Sequence, residues 1–286
     1  MAVRQSIRGL ERQTDGITLL RRAVGRMQSL SDDRGFDFFA ALHGLALPQW
    51  CEHGTELFLP WHRAYLYYYE LALQSRLAPG FVVQAPADPT IADVGLPWWD
   101  WTSEGSHADG IPESYDVAVV GGAQNPLAAS TIGVGTSPLS HGVWSLPLFG
   151  AVRAQLPGAV TDSDPARTRR DPDVPGELPQ ASTIEDIVLQ QNTFASFTMS
   201  VEQVHDDVHG WVGGSMSAVP TSAYDPIFWS HHCMIDRLWY LWQLSALGMD
   251  PPPQLLDRVL APFPMTVRQT LDIATLNYDY AVEVIA

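Results

Sequence analysis

Seven of the nine histidines in this chain fall in two sets, and each set begins on a stretch with helical periodicity. One set is His43, His53 and His62, with Cys51 two residues before its middle member. The other is His205, His209 and His232, with His231 adjacent to the last. His205 and His209 are spaced i, i+4, so on a helix both side chains leave the same face, about 5–6 Å apart at Cβ. That spacing lets two imidazoles chelate one metal ion. The surroundings of both sets are mostly apolar, and buried imidazoles without partners would each carry a desolvation cost. A fold that hides these rings must therefore also give them something to bind.

The rest of the sequence supplies helices to carry them. Ile17, Leu19, Leu20, Val24, Met27 and Leu30 recur at roughly helical spacing, and Asp32-Asp33-Arg34-Gly35 closes that segment. A second helix is expected from Phe36 to Leu47, with His43 inside it and Pro48 after it. Pro60 suits the first residue of a third, Trp61 to Arg76. The stretch from Thr183 to Val212 contains a helix with His205 and His209, and Asp225 to Leu247 reads as a long buried helix opened by Pro226. Between Trp101 and Ala181 the periodicity collapses into a glycine- and proline-broken run, where loops and short strands are expected. The expectation is a mostly α fold, five helices around one core, as a single domain over residues 1–286.

Composition narrows the function. With 46% apolar residues in 286, the core needs no disulfide framework, and two cysteines cannot supply one. Sixteen basic against thirty-two acidic residues give −16, which argues against nucleic acid or an anionic membrane as partner. No window reaches the 18 or so apolar residues of a membrane span. Met1 to Ser6 carries no secretory h-region, so the chain is expected to be cytoplasmic or exported with a helper protein.

Zinc hydrolases usually add a carboxylate ligand or an H-E-x-x-H glutamate, and non-haem iron oxygenases want two histidines and a carboxylate; neither pattern is present. All-imidazole sites suit copper cycling between Cu(I) and Cu(II). Two neighbouring three-histidine sites would leave an open position on each metal, where dioxygen can bind between them.

Several segments carry a resemblance. His43, Cys51-Glu52-His53 and Phe58-Leu59-Pro60-Trp61-His62-Arg63 resemble the first copper site of the type-3 copper proteins. His205-Asp206-Asp207-Val208-His209, Trp211-Val212-Gly213-Gly214 and Asp225-Pro226-Ile227-Phe228-Trp229-Ser230-His231-His232 with Asp236-Arg237-Leu238-Trp239 resemble the second. Pro97-Trp98-Trp99-Asp100-Trp101, Tyr278-Asp279-Tyr280 and Arg4 also match family features, so the resemblance spans nearly the whole chain. It implies a central four-helix bundle holding a binuclear copper site, with long irregular loops and a few short strands. His43, His53 and His62 would bind one copper, and His205, His209 and His232 the other, with His231 as a hydrogen-bonding neighbour or, alternatively, the ligand itself. Cys51 is either a buried free thiol or, as in some fungal tyrosinases and mollusc haemocyanins, joined to His53 by a thioether. Asp236 and Arg237 would be a structural carboxylate and part of a buried ion pair. Cys233 reads as an inert core residue, Glu70 as a structural or surface charge, and the tryptophans at 98–101 as packing. His107 and His141 read as solvated.

The family's chemistries are reversible O2 binding, oxidation of o-diphenols, and ortho-hydroxylation of monophenols. The chain ends six residues after Tyr280, so no C-terminal shielding domain is expected, which favours an enzyme over a haemocyanin-like O2 carrier. The expected activity is that of a tyrosinase-like polyphenol oxidase acting on small phenols with O2. The alternative is a catechol or o-aminophenol oxidase without monophenolase activity, and the family also suggests a copper-loading helper protein as partner. The sequence departs from tyrosinases at two positions. Asp206 replaces an asparagine, and Phe197 falls where a water-holding glutamate would be expected. Asp206 is then a candidate base, or a charge that orients or selects cationic substrates. Phe228 is expected over an imidazole of the second site, with Gly210 and Val219 at the pocket entrance and wall and Phe197 also beside the pocket.

Overall fold

The computed structural model describes residues 1–44, 50–132 and 167–282. In chain order its principal elements are β1 (Ala2–Arg4), α1 (Gly16–Ser29), α2 (Phe36–Gly44), α3 (Phe58–Leu73), α4 (Ala181–Gln190), α5 (Phe194–Val212), α6 (Ile227–Leu244) and β2 (Tyr278–Tyr280). Helices α3 and α6 are apolar on nearly all faces, and such helices belong inside a core. Every residue of α3 except Tyr67 is buried, and α6 is buried without a break from Ile227 to Trp239. They pack directly on each other, with α5 against both and α1 against α2 and α3. The histidine-bearing helices α2, α3, α5 and α6 thus form the four-helix arrangement the sequence implies.

Helix boundaries follow local chemistry. Helix α3 begins at Phe58 rather than Trp61, which places Pro60 inside the first turn, where its missing N–H costs no intrahelical bond. Thr183 to Val212 spans parts of two helices. Thr193 interrupts it, adopting extended backbone and accepting from Ser196 N at 3.1 Å to start α5. At the other end of α5, Gly213 takes φ +65°, and a Cβ there would meet Asp171 O at 2.4 Å. Just before α6 the Asp225 carboxylate accepts from Ile227 N (3.1 Å) and pairs with the Arg170 guanidinium. The irregular middle contributes short helices at Glu104–Asp109 and Glu113–Asp116 and a hairpin pairing Val119–Val120 with Ala123–Gln124. Among the described residues, no helix is long and apolar enough to cross a membrane.

Strands β1 and β2 pair in parallel, with Arg4 opposite Tyr280, and this delivers Arg4 to the base of the bundle. There its guanidinium, with no solvent exposure, contacts the Glu70 carboxylate (3.2 and 3.1 Å) and Asp236 Oδ2 (2.9 Å), and lies 3.6 Å from the Tyr278 ring centre. Arg63 donates to Asp236 Oδ1 from the other side and lies over Trp239. Both Tyr278 and Tyr280 hydroxyls donate to Asp236 Oδ2. The ion partners of Asp236 are therefore Arg4 and Arg63, whereas its neighbour Arg237 faces the Trp98 ring. Glu70 is buried and structural, also accepting from Leu96 N at 2.7 Å.

Burial alone would raise the Asp236 carboxyl, but the Arg63 and Arg4 guanidinia beside it hold it below the usual carboxylate range. A depressed folded value means this stabilisation is complete above about pH 4 and is lost as pH falls through the lowered value. Asp236→Asn leaves two buried guanidinia short of charge, so it should lower the unfolding free energy by about 3–5 kcal/mol. Urea denaturation at neutral pH checks this, and a loss below about 1 kcal/mol, the range of an exposed pair, would contradict the assignment.

Candidate metal centre

His43 leaves the last turn of α2, His62 the second turn of α3, His205 and His209 successive turns of α5, and His232 the second turn of α6. His53 alone sits on a loop, between α2 and α3. Ring centres in the first set lie 5.2 Å (His43–His53), 5.6 Å (His43–His62) and 5.2 Å (His53–His62) apart. In the second set they lie 4.4 Å (His205–His209), 4.7 Å (His205–His232) and 5.5 Å (His209–His232) apart. The sets adjoin, since His62 stacks on His232 at 4.7 Å and His53 lies 5.9 Å from His205. All six rings form one cluster.

Their nitrogens are sorted. Nδ1 of His43 faces Val219 O (3.3 Å), that of His62 faces Phe58 O (2.8 Å), that of His209 faces Met216 O (2.8 Å), and that of His205 faces Asp206 Oδ1 (3.0 Å). An Nδ1–H donating to each oxygen fixes the tautomer and leaves the Nε2 lone pair directed inward, as metal-binding imidazoles require. Nε2 of His43 and His62 is buried without a hydrogen-bond partner among the described residues. His232 Nε2 lies 3.2 Å from His205 Nε2 and 3.3 Å from His209 Nε2. Lone pairs gathered this closely repel one another unless a cation sits among them. Burial drives every ring below its ordinary value, His209 to about 4, so the imidazoles are neutral donors. The close donor groupings among the described residues contain histidine and cysteine but no carboxylate, a set that suits copper.

Above the rings opens a cavity of about 590 Å³. Its floor is His43, His53, His205 and His209, and its walls include Met199, Glu202, Asp206, Gly210, Met216 and Val219.

A model of the common central domain of tyrosinase matches residues 33–245. The chain belongs to the tyrosinase family. Among its relatives, hemocyanin A-type, units Ode to Odg, from Enteroctopus dofleini is 27% identical over 264 residues, covering 84% of this chain and 18% of that one. The tyrosinase of Podospora anserina is 26% identical over 296 residues, covering 84% of this chain and 51% of that one. The chain thus spans about half or less of the length of these relatives. A functional unit of octopus hemocyanin superposes with TM-score 0.71 at 23% identity, covering 98% of this chain and 68% of that one. A mushroom tyrosinase gives 0.72 at 23% identity, covering 98% and 61%. These two structures share the fold. Tyrosinases and hemocyanins are type-3 copper proteins, and this chain is one of that family.

Within this tyrosinase-family site the sequence-based expectations can be placed one by one. His231 is fully buried, its ring 5.2 Å from His205 and 4.9 Å from His209; a ring nitrogen of His231 lies within 4.8 Å of donor nitrogens of His205, His209 and His232, and neither of its ring nitrogens has a hydrogen-bond partner among the described residues. Phe228 lies over His232 at 4.0 Å and also reaches His43 at 4.8 Å. Gly210 lines the cavity, and a Cβ there would meet nothing within 4 Å. Val219 lines it too, and its carbonyl accepts from His43. Cys51 Sγ donates to His43 O at 2.6 Å and lies within 4.8 Å of a ring nitrogen of both His43 and His53. Phe197 is a correction. Its ring stacks on Trp242 at 4.3 Å in the core with no exposure, so it is a packing residue and does not line the cavity. Cys233 is fully buried, with its thiol pushed up to about 12, chiefly by burial, as befits an inert residue. Trp98, Trp99 and Trp101 are packing residues. His107 faces Pro179 O at 3.2 Å and is half-buried rather than freely solvated; His141 lies outside the described residues.

Sequence reasoning missed Glu202. Its Oε1 accepts from Gly54 N at 2.6 Å, linking α5 to the loop of His53, and burial raises its carboxyl above the ordinary value. The signal was present, because Glu202 precedes His205 by three residues and Asp206 by four, the spacing of one helix face. The geometry of the second set predicts that His209→Ala lowers bound copper by one atom per chain. Elemental analysis checks this, and unchanged loading would contradict the placement of His209 as a donor.

Proposed function

We propose that this chain is a tyrosinase-like polyphenol oxidase, which uses O2 to oxidise small o-diphenols or o-aminophenols to quinones and ortho-hydroxylates monophenols. The observation that carries this reading is the cavity, wide enough for a phenol ring, whose floor is imidazoles of both sets. In this reading His43, His53 and His62 hold one copper and His205, His209 and His232 the other. A bound copper pair supplies redox chemistry with O2. Overall, two o-diphenols each give up two electrons and two protons, and one O2 takes up all four to become two waters.

The chain's own residues admit and prepare the substrate. Phe228 restrains the His232 ring, and Gly210 and Val219 leave the mouth open. A phenol, with a pKa near 10, must lose its proton close to the metals. Asp206 is the candidate acceptor. It is anchored through Oδ1 to His205 Nδ1, and its side chain is 62% exposed at the cavity. Cys51 in this reading forms a thioether to His53, which would fix the one ligand carried on a loop. The sulfur bonds to an imidazole carbon, and the two hydrogens lost, with their electrons, reduce O2.

Three outcomes test the proposal. Oxygen-electrode assays of the copper-loaded chain should show uptake with catechol, 2-aminophenol and tyramine. Reversible O2 binding with catechol untouched would instead favour the oxygen-carrier reading that the hemocyanin relatives keep open. Asp206→Asn should lower the ratio of tyramine to dopamine turnover by roughly a hundredfold, the low end for a positioned base; an unchanged ratio would remove Asp206 from proton transfer. Intact-mass analysis after loading with copper and O2 should show the loss of two hydrogens in the wild type and none in Cys51→Ala. An unaltered wild-type mass would refute the thioether.

A further inference from the structure

Glu202 and Asp206 stand one helical turn apart on the same face of α5, and both line the cavity. Each is pinned by a different partner. Glu202 Oε1 is held by Gly54 N at 2.6 Å, on the loop of the first histidine set, and Asp206 Oδ1 by His205 Nδ1 at 3.0 Å, in the second. Two carboxylates are thereby fixed on the wall directly beside the floor of imidazoles. The other wall residues are uncharged, among them Met199, Gln203, Met216, Ser217 and Val219, and no arginine lines the cavity among the described residues. A ring lying on that floor extends its substituent along a wall whose fixed charge is entirely negative.

We infer that the cavity selects phenols carrying a cationic side chain, arylalkylamines above all, with Glu202 receiving the ammonium group at the wall and Asp206 adding its negative charge to that wall while the phenol ring faces the histidines. This rests on the phenol-binding reading of the same cavity and adds a substrate class to it. An ammonium group has three donors, and a carboxylate accepts such bonds with charge assistance. A neutral tail of equal length gains nothing there, and a carboxylate tail meets two like charges. The net charge of −16 acts in the same direction at longer range, drawing cations toward the cavity at low salt.

The test compares three catechols of similar shape on the copper-loaded full chain: dopamine, 4-ethylcatechol and dihydrocaffeate, which are cationic, neutral and anionic. The expected kcat/KM falls in that order, with dopamine ahead of 4-ethylcatechol by roughly three- to tenfold, the scale of partly exposed ion pairs. The same order should hold for calorimetric binding of tyramine, 4-ethylphenol and 3-(4-hydroxyphenyl)propionate to the copper-loaded protein under nitrogen, where no turnover occurs. Raised salt should compress the range. Glu202→Gln with Asp206→Asn should bring the three compounds toward parity in both measurements, and Asp206→Asn alone, at an exposed position, should do so in part. Equal values across the three charges, or a charge order that survives the double substitution, would overturn the inference. Catechols oxidised without regard to charge would sink this inference and leave the oxidase reading standing. Charge-ordered binding without oxidation would sink the oxidase reading and leave this one.

Discussion

A single buried carboxylate, Asp236, sets the geometry on which the metal centre rests. It lies one turn beyond His232 on α6, and Arg63, which donates to it, directly follows His62 on α3. The ion pair therefore fixes the register of the two innermost helices at the point where His62 and His232 stack at 4.7 Å. Arg4 brings the paired chain ends into the same network, with Tyr278 and Tyr280 adding neutral donors to the carboxylate. A buried charge is costly unless its partners are complete, and here they come from three segments: Arg4 on β1, Arg63 on α3, and Tyr278 and Tyr280 on β2. The network lies beneath the site, out of reach of the cavity, and supports the chemistry by holding the rings in place.

The histidines are positioned by a second layer of a different kind. Three of the six rings are oriented by backbone carbonyls, those of Phe58, Val219 and Met216, and one by a side chain, Asp206. Backbone acceptors do not titrate, so the tautomers of His43, His62 and His209 are independent of pH around them. His205 differs, since its acceptor is a side-chain carboxylate that lines the cavity. Orientation of the second set and the make-up of the cavity wall thus meet at Asp206. The loop of His53 has no helix to hold it, and Glu202 supplies the tie from α5. Through that bond the helix of one triad braces the loop of the other.

Much of this was legible in the sequence because metal ligands on helices obey simple spacing. His205 and His209 at i, i+4, and the nearly uninterrupted apolar faces of α3 and α6, need no tertiary information to be read. Contacts between distant segments were harder to see. Nothing local in Arg4 or Tyr280 says that they meet Asp236, because parallel pairing of the two chain ends is a property of the whole fold. The break at Gln191 to Thr193 was hidden because both flanks are good helix, and only the cap at Thr193 divides them. Phe197 was placed by its distance along the chain from His205. Eight residues rotate a helix through more than two turns, and the remainder points the ring at Trp242 in the core. Glu202 was overlooked for the opposite reason, since a lone glutamate on a helix is ordinarily solvated and its role depends on a loop 148 residues away.

The central claim is that two triads of neutral imidazoles hold a pair of copper ions close enough to share one ligand. Copper-edge X-ray absorption on the fully loaded chain tests it most directly. The account predicts a first shell of nitrogen donors and a second copper at roughly 4 Å, the spacing of two-metal sites. A spectrum with sulfur or carboxylate donors in place of imidazole, or with no metal neighbour at that distance, would contradict it.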